Sequence, residues 1–149
     1  MTFSFFSRSQ GMKKLYGKLF ETLRTQYDMT RLEMDILLFL ANNPQWDTAR
    51  DIVELRHLTK SHVSTGIEAL VRRGILERFY RDGNRKTIHL RLLPAAWEIA
   101  RRGQAIQQQY SELLVADFSP EEKALLDGFL DRIARNVNHA LAKQDMAED

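Results

Sequence analysis

Residues 59–92 read TKSHVSTGIEALVRRGILERFYRDGNRKTIHLRL. Thr59 is a hydroxyl N-cap, and Val63, Ile67, Leu70 and Val71 then recur on one side of a helix. Gly74 occupies the left-handed position that ends such a helix, and the apolar pair Ile75 and Leu76 follows it. Two strands come next, at about 77–81 and 86–92, separated by the turn residues Asp82, Gly83, Asn84 and Arg85. In the second strand Ile88, Leu90 and Leu92 alternate with Thr87, His89 and Arg91, so the first set is expected buried and the second wet. The polar side of the helix carries Lys60, Ser61, Ser64 and Thr65, short enough for close approach to base edges in a major groove ~12 Å wide. The hairpin carries Arg81, Arg85 and Lys86, which suit a narrower groove and its phosphates. A reading helix beside a cationic hairpin is what a protein needs to hold double-stranded DNA in two adjacent grooves.

On the N-terminal side, Met12, Leu15, Tyr16, Leu19, Phe20, Leu23 and Tyr27 form one helical stripe, predicting a long first helix from Met12. Thr30 and Glu33 have the spacing of a capping box, which opens a second helix ending near Asn42, before Asn43 and Pro44. Asp47 is placed to cap a short third helix over 48–56 with Ile52, Val53 and Leu55 facing inward. On the C-terminal side, Pro94 suits the first position of a fifth helix running to about Ala116. Ser119 and Glu122 form a second capping box, opening a last helix whose apolar side holds Leu125, Phe129, Leu130, Ile133, Val137 and Leu141. Residues 143–149 are expected to fray.

Composition removes several function classes. The 149 residues contain no cysteine, which excludes disulfides, thiolate catalysis and iron–sulfur ligation within the chain. Four histidines, at positions 57, 62, 89 and 139, are scattered without carboxylate company, so no metal site is expected. No glycine-rich phosphate loop or nucleophile elbow is present, so the chain is not read as an enzyme and no cofactor is expected. With 44% hydrophobic and 28% charged residues, and no apolar run of membrane-spanning length, it reads as soluble, free of the membrane and cytoplasmic. The net charge of +2 hides a polarity: residues 1–26 and 50–86 each carry +4, whereas 111–149 carries −5. The middle of the chain is the expected polyanion face.

The fold class expected is mainly α with a small β-wing, in one chain spanning 1–149. Residues 29–92 close a compact DNA-binding lobe, and 1–28 with 94–143 supply helices whose stripes exceed what that lobe can cover. Such stripes find each other in a second copy, and a two-fold dimer sets two recognition helices about one DNA turn apart.

Nearly the whole length resembles the MarR-type winged helix-turn-helix transcription regulators. MTRLEMDILLFLANNP is similar to the second helix of that family, LTKSHVSTGIEALVRRGIL to its recognition helix, and FSPEEKALLDGFLDRIARNV to its C-terminal dimerisation helix. The family wing has Asp-x-Arg near its tip, where this chain has Asn84, Arg85 and Lys86; Leu93 and Pro94 stand where Leu-Thr is common. The resemblance implies that Ser61, His62 and Thr65 meet base edges, that Lys60 and Ser64 meet phosphate or base, and that Arg85 enters the minor groove with Lys86 and Arg81 on phosphates. It also implies a homodimeric repressor on a pseudopalindromic operator, and a small aromatic effector in a cleft to which Phe20, Trp46 and Trp97 are the assigned residues. The rival reading is a winged-helix protein-interaction module that does not read DNA.

Overall fold

A computed structural model describes residues 2–148, with side chains from Phe6 onward. The chain runs α1 (Thr2–Tyr27), α2 (Arg31–Asn42), α3 (Ala49–Arg56), α4 (Lys60–Arg72), β1 (Leu76–Arg81), β2 (Asn84–Leu92), α5 (Pro94–Leu114) and α6 (Pro120–Glu148). It divides into one unit reaching Tyr110 and a second over Ser111–Asp149. The architecture is the expected one, mainly helical with a two-stranded antiparallel hairpin.

The first unit is organised around α2, whose Ile36, Leu37 and Leu38 are almost wholly buried. Its start is locked as the sequence predicts: the Glu33 N–H donates to Thr30 Oγ1 at 3.1 Å and the Thr30 N–H donates to Glu33 Oε1 at 3.3 Å. The same buried cluster holds Phe20 and Leu23 of α1, Ile52 of α3, Val63, Ile67 and Leu70 of α4, and Ala96, Ile99 and Ala100 of α5. The closest approaches are made by glycines. A Cβ on Gly66 of α4 would lie 2.5 Å from Ile36 Cδ1, and one on Gly103 of α5 would lie 2.7 Å from Leu38 Cδ2. Gly66 therefore lets α4 press onto α2.

The helix boundaries mostly follow their caps. The Thr59 hydroxyl accepts the His62 N–H, and Gly74, at φ +69°, ends α4 in the left-handed conformation while the Ile75 N–H returns to the Leu70 carbonyl at 3.0 Å. The boundaries depart from expectation in three places. Helix α1 begins at Thr2 rather than Met12, because no proline interrupts 2–11 and the single Gly11 costs only about 1 kcal/mol. The cap of α3 is Thr48, which forms its own box with Asp51, and not Asp47. Helix α6 continues to Glu148 instead of fraying at 143.

The hairpin turns at Asp82 and Gly83, with φ of 49° and 72°, the two consecutive positive values of a type I′ turn. Leu76 pairs with Leu92, Arg78 with Leu90 and Phe79 with His89, and the register shifts between Phe79 and Arg81. Leu90 and Leu92 are buried as the alternation predicts, but Ile88 is 45% exposed because the hairpin has by then passed beyond the core. His89, expected to be wet, turns toward Asp47.

In the second unit, the Ser119 N–H donates to Glu122 Oε2 at 2.8 Å and the Glu122 N–H donates to Ser119 Oγ at 3.1 Å, completing the predicted box that opens α6. No described residue of α6 is buried, and Leu125, Phe129, Leu130, Ile133, Val137 and Leu141 stay exposed along it.

Candidate nucleic-acid interface

Helix α4 buries Val63, Gly66, Ile67 and Leu70 and thereby fixes what its other side shows. Lys60, Ser61, His62, Ser64 and Thr65 are all exposed on that side. The helix has no acidic residue in its first turn, so its N-terminal partial positive charge and Lys60 act in the same direction. The Thr65 hydroxyl donates to the Ser61 carbonyl at 2.9 Å, which holds its rotamer and leaves its oxygen free to accept. The first acidic residue along the helix, Glu68, is engaged by Arg78 of β1 at 2.9 Å.

At the wing tip, Arg85 and Lys86 are exposed and neither has a carboxylate partner among the described residues. Asn84 Oδ1 accepts the Lys86 N–H at 2.9 Å, the same local turn an aspartate would make, so the Asn84 departure keeps the tip geometry. The Arg85 guanidinium lies 5.8 Å from the centre of the Tyr80 ring, a stacking contact that leaves its donors available.

Arg81 is placed differently. Its Nη2 lies 2.5 Å from Asp47 Oδ2, and the other oxygen of that carboxylate is 2.7 Å from His89 Nδ1. Arg50 pairs with Glu54 at 2.8 Å, one of the surface pairings its position allowed. Arg73 bonds the α1 terminus, donating from Nη1 to the Asp28 carbonyl at 2.8 Å and to Glu33 at 3.1 Å, and from Nη2 to the Tyr27 carbonyl. Sequence reasoning missed Asp47, His89 and the role of Arg73, since each acts through residues far away along the chain.

A cleft of about 980 Å³ opens in the first unit. Phe20 and Trp46 line it together with Tyr16 and Tyr110, whereas Trp97 does not and is 41% exposed elsewhere. Lys13, Arg24, Arg31 and Arg56 also border it, with Asp35 as its acidic residue. Burial pushes the Asp35 carboxyl above the ordinary carboxylate range, against the pull of Arg56, Arg31 and Arg24. Burial likewise raises the Tyr16 phenol. Among the described residues no group of three His, Asp or Glu side chains is placed to hold a metal, and no helix is long and apolar enough to cross a membrane.

A capped reading helix followed by a hairpin with an exposed cationic tip defines a winged helix-turn-helix protein. Residues 27–84 match the model of the MarR family. Among solved structures, the S. aureus MepR–DNA complex is similar at TM-score 0.74 and 22% identity, covering 92% of this chain and 96% of that one. The transcriptional regulator PA3341 is similar at TM-score 0.80 and 18% identity, covering 93% of this chain and 99% of that one. S. aureus MarR in complex with salicylate and kanamycin is similar at TM-score 0.74 and 18% identity, covering 93% of each chain. No curated protein sequence matches.

Proposed function

We propose that this chain is a sequence-specific DNA-binding transcription regulator, acting in the cytoplasm as a homodimeric repressor of a pseudopalindromic operator. The observation that carries the reading is the pairing, on one closed core, of a small polar helix face whose first turn holds no acid with a wing tip whose two cations have no acidic partner among the described residues. Lys60, Arg85 and Lys86 supply affinity by releasing counterions, while Ser61, His62 and Thr65, with Ser64 beside them, supply sequence preference at base edges. The reported DNA complex of the similar S. aureus MepR supports this use of the fold. The uncovered apolar stripe of α6 supports a second copy as partner, since a stripe of that length is unstable in water.

The cleft bordered by Phe20 and Trp46 is the proposed effector site, and the salicylate complex of S. aureus MarR supports a small aromatic ligand there. An effector acts by favouring a dimer geometry in which the recognition helices no longer fit successive major grooves. A coupling of about 1–3 kcal/mol gives roughly 5- to 150-fold release.

Duplex fragments selected from the source genome test the reading. Fluorescence anisotropy should show a saturable complex that weakens steeply with salt, and protected half-sites centred about one helical turn apart. Absence of binding to any fragment at low salt refutes it.

A further inference from the structure

Asp47, in the segment between α2 and α3, is 8% exposed and is one of two buried charged residues among those described. Three bonds converge on it. Arg81 Nη2 donates to Oδ2 at 2.5 Å, His89 Nδ1 donates to Oδ1 at 2.7 Å, and the Leu90 N–H donates to the Asp47 backbone carbonyl at 2.8 Å. Arg81 is the last residue of β1, while His89 and Leu90 belong to β2, so one residue outside the hairpin grips both of its strands. Phe79 fills the space beside the grip, its ring centre 5.5 Å from that of His89, 5.6 Å from the Arg81 guanidinium and 4.4 Å from that of Arg91.

The position of this grip matters for the tip. The strand register shifts between Phe79 and Arg81, so the ladder is irregular just where the hairpin leaves the core. From Arg81 to Ile88 every residue is exposed, and no core contact fixes the direction of that segment. The Asp47 bonds are the last attachments to the helical body before it. Arg81 is also poorly suited to a phosphate: leaving Asp47 would strand a buried carboxylate with His89 alone, an expensive exchange.

We infer that Asp47 is a positioning residue for the wing, holding Arg81 and His89 so that Arg85 and Lys86 are presented at a fixed angle beside α4. Arg81 is an anchor within this clamp and not a phosphate contact. The inference rests on the DNA-binding reading for its consequence, but the clamp itself is readable without DNA.

The test has two arms. In the first, hydrogen exchange of the full-length protein without DNA compares wild type with Asp47→Asn, Asp47→Ala and Arg81→Ala. Protection of the Leu90 amide and its neighbours in β2 should fall about tenfold or more while α2 amides keep theirs, the scale expected for losing a bond to a charged group. Unchanged wing protection in Asp47→Asn and Arg81→Ala overturns the clamp, and the Asn variant covers the case in which Asp47→Ala fails to fold. In the second arm, binding to the duplex recovered from genomic fragments is followed over a salt series. Asp47→Asn and Arg81→Ala should each weaken binding by a similar factor, the double variant should be no worse than either, and the salt slope should stay that of wild type. Arg81→Lys, which keeps the ion pair, should recover most of the affinity. If Arg81 instead met a phosphate, Arg81→Ala would flatten the slope by about 0.9 and Asp47→Asn would tighten binding by freeing a cation, the opposite sign. Tighter binding by Asp47→Asn therefore overturns the inference. Failure of wild type to bind any duplex would remove the DNA-binding reading while the exchange arm still decides the clamp.

Discussion

Replacing Gly66 by Ala probes how tightly α4 is seated. The added Cβ would stand 2.5 Å from Ile36 Cδ1 and 3.2 Å from Leu32 Cγ, where ordinary contacts begin near 3.4 Å, so Ile36 must retreat by about 1 Å. Ile36 is wholly buried and has no solvent to retreat into. Overpacking of this kind costs roughly 1–3 kcal/mol. Against it, Ala is a better helix former than Gly by about 1 kcal/mol. The net expectation is a loss of about 1 kcal/mol, or roughly 2–4 °C in Tm for a chain of this size. A double-mutant cycle separates the two terms. Ile36→Val removes the very atom that clashes; alone it should cost about 0.5–1.5 kcal/mol, but in the Gly66→Ala background it should cost little or even stabilise. Chemical unfolding of the four proteins should therefore give a favourable coupling of at least about 1 kcal/mol. Strict additivity, or a stabilised Gly66→Ala single variant, would show that α4 does not rest on α2 through this glycine.

Arg85→Ala should flatten the salt dependence of DNA binding by about one phosphate's worth, so that its deficit shrinks about 3.5-fold between 50 and 200 mM salt; parallel salt plots would remove Arg85 from the interface. Leu130→Glu, which puts a charge in the middle of the exposed α6 stripe, should weaken self-association at least tenfold, and an unchanged dimeric mass in sedimentation would refute that interface. Asp35→Asn should raise unfolding stability at neutral pH, because burial holds the folded-state pKa of this carboxyl above its unfolded value of 3.8 and so penalises the ionised fold. That penalty fades as pH falls through the raised pKa and is gone below 3.8, so the advantage of the variant should vanish in acid; an advantage that persists there contradicts the assignment.

Elements with local causes were legible from the residues alone. The boxes at Thr30 and Ser119, the Thr59 cap and the Gly74 stop are each written within a few residues, and the structure forms all four. What escaped depends on distance along the chain. Asp47 before Thr48 looks like a helix cap until Arg81 and His89 arrive from 34 and 42 positions away and take its carboxylate. Strand alternation told which side of β2 a residue faces, but not where the core beneath it ends, so Ile88 was read as buried. Trp97 shares the helical spacing of its neighbours, yet only the packing of α5 decides that the cleft does not reach it.

The cations of residues 50–91 illustrate the same limit more sharply, because nothing local in the sequence says which of them an acid will hold. Folding sorts them by partner. Arg50 is held by Glu54, Arg56 by Asp35, Arg73 by Glu33, Arg78 by Glu68, Arg81 by Asp47 and Arg91 by Glu77. Lys60, Arg72, Arg85 and Lys86 are left without a carboxylate partner among the described residues. Three of these stand at the start of α4 and at the hairpin tip, while Arg72 closes the far end of α4. A paired surface arginine keeps its charge but adds little to the field seen by a polyanion, since its carboxylate cancels it within a few ångströms. The acidic residues of the winged helix therefore shape its surface charge by subtraction, leaving a modest basic excess concentrated at a few points instead of spread over the lobe.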